Sequence, residues 1–414
     1  MRADGEALRR GRLTPALLCA FCGCMRIRSI SVTKLFGIFD HEIPLNMKER
    51  ITIIHGLNGY GKTVILRMVH GLLCGEYKHF RAIPFATFEI QFADESLLRV
   101  EKTGEYNTQA VDAEPIPYIT ILYRGKKEPG SQKDLSRDLS CALFKQGVSI
   151  LPRWIGALED SINVELIETQ RLSAPKSLHG SGAVVESYAN ELAARIGTAL
   201  TDYAARSQEL DRTFPVRLLQ QAEVVPLPAE ELRSRLGELE TRRTRLATLG
   251  FLDPERNLAD IPQAIEPSKL GVLTIYVRDM EEKLRGFDDL AARIELFTTI
   301  LNDRFSYKRV SVHRDHGFLF TGANGEPLPL AALSSGEQHE VVLLYDLLFR
   351  VKPDSLILID EPEISLHVTW QQEFVNDLEK VVKLSGVDVL LATHSPEIIG
   401  EHWDWTVALK GPVT

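Results

Sequence analysis

Residues 56–63 read Gly-Leu-Asn-Gly-Tyr-Gly-Lys-Thr, and this stretch decides the fold that we expect for the chain. An apolar run at 51–54 precedes it and predicts a buried strand, and residues 64–69 predict the start of a helix. Glycines between a strand and a helix let the backbone turn tightly, so that several N–H groups point at one anion. The helix N-terminus adds partial positive charge at the same place. The stretch therefore predicts a phosphate-binding loop.

The side chains of this loop indicate a nucleotide as the ligand. Lys62 can reach the β- and γ-phosphates of a nucleotide, and the hydroxyl of Thr63 can bind Mg²⁺. The loop residues that we predict to bind the nucleotide are Asn58, Gly59, Tyr60, Gly61, Lys62 and Thr63. A glycine-rich turn without a ligand is the alternative interpretation, and the remaining motifs of the chain argue against it.

A second apolar run, residues 355–359, leads directly into the acidic residues Asp360 and Glu361. Such a run is typical of a central parallel strand, which is covered on both faces. At the end of this strand Asp360 can hold Mg²⁺, and Glu361 can orient or deprotonate an attacking water. A core strand followed by an acidic turn is the alternative, and the phosphate-binding loop makes it the weaker one.

Two more patterns mark a helix start and a strand end. Residues 333–338 read Leu-Ser-Ser-Gly-Glu-Gln, and Ser334 with Glu337 three residues later is a capping box that needs no further function. Small residues and a glycine at a helix start also form an anion site. The candidates for that site are Ser334, Ser335, Gly336 and Glu337. Residues 387–392 predict a third apolar strand, and His394 follows it at the edge where α/β sheets bind ligands.

In this order, the motifs resemble those of ATP-binding-cassette (ABC) type ATPases of the SMC/RecF/OLD branch, often called AAA family ATPases. Residues 56–63 match the Walker A motif, 333–337 the signature motif, 356–360 the Walker B motif and 363–367 the D-loop. The resemblance implies an α/β P-loop NTPase fold of ABC-ATPase type, with ATP and Mg²⁺ as cofactors. It also implies that Glu361 is the catalytic glutamate, that His394 is the switch histidine, and that Thr63 and Asp360 bind the metal.

The glutamine of the Q-loop is harder to place. Residues 167–172 read Ile-Glu-Thr-Gln-Arg-Leu and resemble a stretch of this branch, so that Gln170 is our candidate for a catalytic residue and Mg²⁺ ligand. Gln91, in the predicted strand 87–92, is the weaker alternative.

Composition limits the remaining possibilities. The chain has 414 residues, 25% charged and 44% hydrophobic, which is ordinary for a soluble globular protein. Its net charge of −9 argues against a surface covered with DNA-binding charge, although Arg242, Arg243 and Arg245 form a small basic patch. No stretch reaches the roughly 18 to 20 apolar residues that cross a bilayer, and the five cysteines form no disulfide framework. We therefore expect a cytoplasmic protein without a membrane partner.

We predict four segments along the chain. Residues 1–24 are a leader that is disordered or not native, because Met25 can begin the first strand; a secretory leader is the alternative. Residues 25–184 form an N-terminal ATPase lobe with Walker A, the Q-loop and an antiparallel β subdomain, since polar and apolar residues alternate at 87–92. Residues 185–300 form an inserted helical arm, and residues 301–414 the C-terminal ATPase lobe.

The arm is predicted as a short coiled coil. Helical spacing begins at Val185 and is expected to stop at Pro215. Leucines in a heptad pattern at 232–249, and apolar residues at helical spacing over 273–294, predict an antiparallel hairpin about 30 Å long with the proline-rich stretch 253–267 as its tip. An ordinary helical subdomain that packs on the core is the alternative.

The resemblance also implies partners. In this branch two ATPase heads sandwich two ATP molecules, so we expect a homodimer or higher oligomer in which Ser334 and Gly336 contact the partner's γ-phosphate. Only 20 residues follow His394, and the chain contains no Asp-x-Asp pair for a Toprim metal site. We therefore expect a separate effector, a Toprim-like or other nuclease or another toxin, regulated in antiphage defence.

Three other functions remain open from the sequence. A RecF-like or SMC-like DNA repair ATPase would have DNA itself as its partner. A transporter ATPase subunit fits poorly, because more than half of the chain separates Lys62 from Ser334. A scaffold that binds ATP without hydrolysing it fits poorly with intact Glu361 and His394.

Overall fold

The computed structural model describes residues 25–103, 118–125, 138–143, 153–167, 181–219, 225–253, 265–364 and 366–411. The chain divides into two units. The first, which we call the sheet unit, comprises residues 1–171 and 351–414; the second, the helical unit, comprises residues 172–350. The predicted leader 1–24 and Gln170 lie outside the described residues.

The described residues contain both strands and helices, as expected of an α/β protein. In chain order the strands are β1 (Ile27–Leu35), β2 (Phe39–Pro44), β3 (Ile51–His55), β4 (Thr87–Phe92), β5 (Leu97–Thr103), β6 (Tyr118–Arg124), β7 (Asp138–Leu143), β8 (Val164–Ile167), β9 (Lys308–His313), β10 (Gly317–Gly322), β11 (Pro327–Leu328), β12 (Leu356–Asp360), β13 (Asp388–Thr393) and β14 (Thr406–Ala408). The α-helices are α1 (Lys62–Leu73), α2 (Lys78–Ala82), α3 (Arg153–Ser161), α4 (Ser181–Leu219), α5 (Ala229–Thr248), α6 (Leu270–Arg285), α7 (Asp288–Arg304), α8 (Ser335–Tyr345), α9 (Val368–Ser385) and α10 (Pro396–Ile399).

A five-stranded parallel sheet lies at the centre of the sheet unit, in the order β14-β3-β13-β12-β8. Every residue of β12 is buried, and so are the first four of β3, as expected for strands covered on both faces. Parallel strands present their carboxyl ends at one edge. The loop after β3, the two acids at the carboxyl end of β12 and the histidine after β13 therefore share that edge, which confirms the predicted α/β P-loop fold.

A second, antiparallel sheet in the order β2-β1-β4-β5-β6-β7 forms the predicted antiparallel subdomain. Burial alternates along β4, and its buried side chains Phe88, Ile90 and Phe92 belong to the same core as Leu66 and Leu72 of α1. Arg26, just before β1, pairs with Asp388 at the amino end of β13 (Nη2 to Oδ1, 2.6 Å). This pair ties the antiparallel sheet to the end of the parallel sheet that lies away from the motifs.

In the helical unit α4 runs antiparallel to α6. Lys283 of α6 pairs with Asp211 of α4 (2.7 Å), and Asp279, earlier on α6, pairs with Arg217, later on α4. Helix α4 was predicted to stop at Pro215, and this was wrong, because the helix continues to Leu219. The guanidinium of Arg217 donates to the carbonyl of Leu210 (2.8 Å) and binds Asp279, so the turn that contains the proline is held by side chains.

The predicted antiparallel pairing of 232–249 with 273–294 was also wrong. Three ion pairs join α5 to α6 and α7. From one pair to the next, the residue numbers increase on both sides, which means that α5 runs parallel to α6 and α7. These pairs are Arg235–Glu281, Arg242–Asp288 and Arg245–Glu295. The leucine stripe of α5 specifies that one face is buried, but it does not specify the direction of the helix that covers it. Nor is the return segment one helix, since it divides between Arg285 and Asp288 at the buried Phe287.

Strands β9 and β10 form an antiparallel hairpin, and Asn324-Gly325 lies in the turn that follows β10. Helix α8 continues directly into a π-helical turn over Asp346–Arg350. Two residues of that turn bind α4: Asp346 accepts a hydrogen bond from the hydroxyl of Tyr188 (2.7 Å), and Arg350 pairs with Glu191 (3.1 Å). Among the described helices none is both long and apolar enough to cross a membrane.

Candidate nucleotide-binding site

The loop between β3 and α1 has the backbone conformation of an anion-binding loop. Gly59 and Gly61 have φ values of +88° and +92°, which side chains other than glycine rarely adopt. A Cβ atom on Gly61 would also lie 2.5 Å from Cδ2 of Leu35, so a larger residue there would have to displace that buried methyl group. No side chain of the described residues caps α1, and its first N–H groups therefore remain free to bind an anion.

Lys62 lies folded back over this loop. Its ammonium donates to the carbonyl of Gly56 (2.8 Å) and to that of Leu57 (3.4 Å), and the residue is only 5% exposed. A buried cation is costly unless an anion pairs with it. Phosphate oxygens placed in the loop would give this ammonium a stronger partner than the two carbonyls.

Thr63 and Asp360 come together across the edge of the sheet. The hydroxyl of Thr63 donates to Oδ1 of Asp360 at 3.1 Å, although 297 positions separate the two residues. Hydroxyl and carboxylate oxygens are ligands that Mg²⁺ accepts, and this cation commonly completes its shell with water and phosphate oxygens. The two side chains therefore fit a nucleotide-bound Mg²⁺.

Glu361 and His394 lie side by side at the same edge. Glu361 has a φ of +46°, an uncommon conformation outside glycine, and its N–H donates to the carbonyl of Ala392 (2.9 Å). Nδ1 of His394 lies 3.6 Å from Oε1 of Glu361. This distance is too long for a direct hydrogen bond, but a carboxylate and an imidazole so placed can both bind one water molecule.

Glu363 is a residue of this edge whose role the sequence did not reveal. Oε1 of its buried carboxylate accepts hydrogen bonds from the hydroxyl of Thr393 (2.8 Å) and the N–H of His394 (3.0 Å), and it lies 3.2 Å from Nδ1 of His394. The signal was present, because an acid stood within the D-loop match. Glu363 reaches Thr393 and His394 because β12 and β13 are adjacent in the sheet, and the D-loop motif alone does not indicate that adjacency.

The signature motif lies in the helical unit at the start of α8. Ser334 accepts a hydrogen bond from the N–H of Glu337 (3.3 Å), and the carboxylate of Glu337 accepts one from the N–H of Ser334 (2.7 Å). This confirms the predicted capping box. Burial raises the pKa of Glu337, but hydrogen bonds from Lys308 and Ser334 outweigh it, so that the pKa lies below its usual value. Ser335 and Gly336 supply the first turn of the helix.

Neither candidate for the Q-loop glutamine is brought to this edge by the described residues. Gln91 lies on β4 in the antiparallel sheet, where its side-chain oxygen accepts a hydrogen bond from Ser29 (3.3 Å). Gln170 lies outside the described residues and stays a prediction.

A cleft of about 710 Å³ opens beside the loop. It is lined by His55, Gly56, Leu57, Asn58, Tyr60, His394, Pro396, Ile399, Trp403, Ala408 and Leu409. Trp403 is half-exposed and meets His55 edge to face, with ring centroids 5.6 Å apart. Phe36 is also exposed and adjoins Gly61. Aromatic surface, which can stack on a flat ring system, is therefore available at two places around the loop.

The chain is similar to several known proteins. Residues 210–400 match the protein family described as "AAA domain, putative AbiEii toxin, Type IV TA system". The chain is 32% identical over 399 residues to the retron Ec83 probable ATPase of Escherichia coli. The aligned region covers 91% of this chain and 70% of that protein. It is 34% identical over 84 residues to the zinc import ATP-binding protein ZnuC of Rickettsia bellii (strain RML369-C), covering 20% and 35% of the two chains. The Smc head domain of Pyrococcus furiosus, solved with an extended coiled coil and bound to the C-terminal domain of ScpA, aligns over 94% of each chain with a TM-score of 0.39 and 14% identity.

Proposed function

This chain belongs to the SMC/RecF-like branch of the ABC-type AAA ATPases, the family of the retron Ec83 probable ATPase, and we propose that it hydrolyses ATP as a dimer that controls a separate effector. The observation that carries the proposal is the arrangement at one edge of the parallel sheet. There a phosphate-binding loop, the pair of Thr63 with Asp360, and Glu361 beside His394 come together. These are the parts that phosphoryl transfer to water requires.

Each residue has a distinct role in the proposed mechanism. Lys62 leaves the loop carbonyls and binds the β- and γ-phosphates. Thr63 and Asp360 would hold Mg²⁺, which would neutralise phosphate charge when bound. Glu361 orients the attacking water and accepts its proton, and His394 donates to the γ-phosphate oxygens. Glu363 fixes the position of His394 through its contacts with that residue and with Thr393.

The proposed dimer follows from the position of the signature motif. In the branch that the motifs resemble, the signature of one subunit acts on the nucleotide of the other. Ser334 and Gly336 of one copy would then complete the phosphate site of its partner, and the interface would have two-fold symmetry. Because ATP would bind the closed dimer best, it would stabilise that state, and hydrolysis would release it.

The effector is proposed from the relatives. The matched family's description names a putative toxin and a type IV TA system, and the relative that matches most of this chain is named as the probable ATPase of a retron. We propose that the effector is a nuclease or another toxin that acts in the cytoplasm in antiphage defence. The segment boundaries at 24, 184 and 300 stay predictions.

A DNA repair ATPase is the alternative, and it has less support. Its best sequence evidence was the basic patch at 242–245. In the structure Arg242 pairs with Asp288 and Arg245 with Glu295, so acidic partners on the neighbouring helix α7 offset much of that charge.

Mixing two inactive variants tests the shared site. Lys62→Ala should lose nucleotide binding, and Ser334→Ala should lose the contribution to the partner's site, so that each homodimer has two defective sites. A heterodimer keeps one complete site, and an equal mixture should recover about a quarter of the wild-type turnover if subunits exchange freely.

The controls for this experiment are each variant alone and each variant mixed with itself at the same total concentration. Steady-state phosphate release is the measurement. No recovery on mixing, together with wild-type turnover that does not depend on protein concentration, would refute the shared site.

A further inference from the structure

Lys308 makes a contact with the signature motif that no motif predicts. It is the first residue of β9, and its ammonium lies 2.7 Å from Oε1 and 2.6 Å from Oε2 of Glu337. Both side chains are largely shielded, with 24% and 17% of their surfaces exposed. The same carboxylate accepts the N–H of Ser334 through Oε2. A chain of contacts therefore runs from Lys308 through Glu337 to the signature serine.

The strand that carries Lys308 is itself fixed. Along its length β9 pairs with β10, with Lys308 opposite Gly322. The side chain of Asn302 on α7 binds Val310 twice, donating to its carbonyl (3.1 Å) and accepting from its N–H (2.8 Å). These bonds hold β9 against α7, so the ammonium is presented from a rigid element.

The capping box alone does not require this lysine. One oxygen of Glu337 suffices to accept the hydrogen bond from the N–H of Ser334, and the hydroxyl oxygen of Ser334 accepts one from the N–H of Glu337. A carboxylate in the first turn of a helix is, however, a poor neighbour for an incoming phosphate, because both anions compete for the positive end of that helix. A cation bound to both carboxylate oxygens removes most of this repulsion and keeps the carboxylate turned toward Ser334.

We propose that Lys308 is a positioning residue for the signature motif, which holds Glu337 against Ser334 and offsets its charge where the partner's γ-phosphate arrives. The inference rests on the proposed function, because it assumes that the signature meets a phosphate of a second copy. Lys308 itself touches no reacting atom.

Lys308→Met tests the inference, with Arg309→Met as the matched control. Arg309 is the next residue on the same strand and is exposed, so its replacement also removes one cation from β9. We expect Lys308→Met to lower kcat by about tenfold, the effect of losing a charge-assisted contact that supports the transition state. ATP binding to Lys62 of the same protomer should stay within about twofold, measured by equilibrium titration with a fluorescent ATP analogue. Arg309→Met should match the wild type.

Two further variants separate positioning from folding. Lys308→Arg should restore most of the turnover, because a guanidinium can bind both carboxylate oxygens. Combining Lys308→Met with Glu337→Gln should cost less than the sum of the two single losses, because both changes act through one contact. Wild-type turnover in Lys308→Met would overturn the proposal. So would loss of turnover that arginine does not rescue and that accompanies a lower thermal unfolding midpoint.

Mixing distinguishes failure of this inference from failure of the proposed function. Lys308→Met mixed with Lys62→Ala should regain turnover, whereas Lys308→Met mixed with Ser334→Ala should not, because both of those variants damage the signature half. If Ser334→Ala complements Lys62→Ala and Lys308→Met does not, only the role of Lys308 is refuted. If neither mixture regains turnover, the shared site is refuted, and the role of Lys308 with it.

Discussion

At the scale of single residues, Glu363 shows how the edge of the parallel sheet is held in place. Its carboxylate is buried, and Oε1 receives both hydrogen bonds, from Thr393 and from the N–H of His394. Oε2 is buried without a hydrogen bond among the described residues. Burying a carboxylate oxygen in this way costs stability, and such costs are typical of functional sites. The arrangement keeps the imidazole of His394 beside Glu361.

Buried His41 makes the stability of the folded protein depend on pH. It lies on β2 and is 5% exposed, with Nε2 2.9 Å from the carbonyl of Tyr60 in the phosphate-binding loop. Burial lowers the pKa of His41 below 6.5, and the bond with the Tyr60 carbonyl opposes this only in part. In the unfolded chain the imidazole takes up a proton near pH 6.5, but in the folded chain only at lower pH. Its contribution to stability is therefore complete above pH 6.5 and decreases as the pH falls through the folded pKa.

We predict that His41→Gln reduces the loss of stability between pH 7.5 and pH 5.5. The contribution of one histidine is at most about 1.4 kcal/mol per pH unit. The measurement is the free energy of urea unfolding at both pH values. His316→Gln, in the exposed turn between β9 and β10, is the control for removing a histidine elsewhere in the chain. Equal pH dependence in His41→Gln and the wild type would contradict the prediction.

At the scale of elements, the direction of α5 is the main departure from expectation. The apolar runs that form β3, β12 and β13 could be recognised from the sequence because central parallel strands are buried on both faces. The leucine stripe of α5 could be recognised for a similar reason. Its direction could not, because it depends on α4 occupying the antiparallel position beside α6, and on ion pairs that lie 46 or more residues apart in sequence. Long-range contacts of this kind also explain why Glu363 and Lys308 were missed.

A charge exchange tests the parallel packing of α5. Arg245→Glu places two carboxylates together at Glu295 and should lower the free energy of unfolding by about 1 kcal/mol. Adding Glu295→Arg should recover most of that loss, giving a coupling energy of about 0.5 kcal/mol or more. Chemical denaturation of the four proteins in the cycle is the measurement.

A second exchange serves as the control for this cycle. Arg212 lies on the exposed surface of α4, and the combination of Arg212→Glu with Glu295→Arg should show no coupling. If the Arg245 cycle also shows none, the packing of α5 beside α7 is different from that described here.

At the scale of the whole molecule, the sheet unit is assembled from both ends of the described chain, and the helical unit is inserted between them. The division falls at 171 and 350, so the signature motif belongs to the helical unit and the Walker motifs to the sheet unit. The two halves of the proposed composite site therefore reside in different units.

We predict that the purified protein hydrolyses ATP in the presence of Mg²⁺ and leaves DNA intact. The motifs provide for phosphoryl transfer from a nucleotide, and we expect the effector to be a separate polypeptide. The measurements are phosphate release and the integrity of supercoiled plasmid on a gel. Glu361→Gln is the control and should abolish phosphate release while retaining ATP. Metal-dependent cleavage that disappears with a point mutation in this chain would contradict the prediction.

The bonds between α4 and the π-helical turn after α8 give the helical unit the geometry of a lever. Tyr188 and Glu191 contact Asp346 and Arg350 close to the beginning of α4, and the helix continues to Leu219. At 1.5 Å per residue, Leu219 at the far end of α4 lies about 45 Å from Tyr188. For a rigid rod, a sideways shift of about 5 Å at Leu219 is a tilt of only about 6° at Tyr188. A large displacement of Leu219 thus corresponds to only a small change in the angle of α4 beside α8.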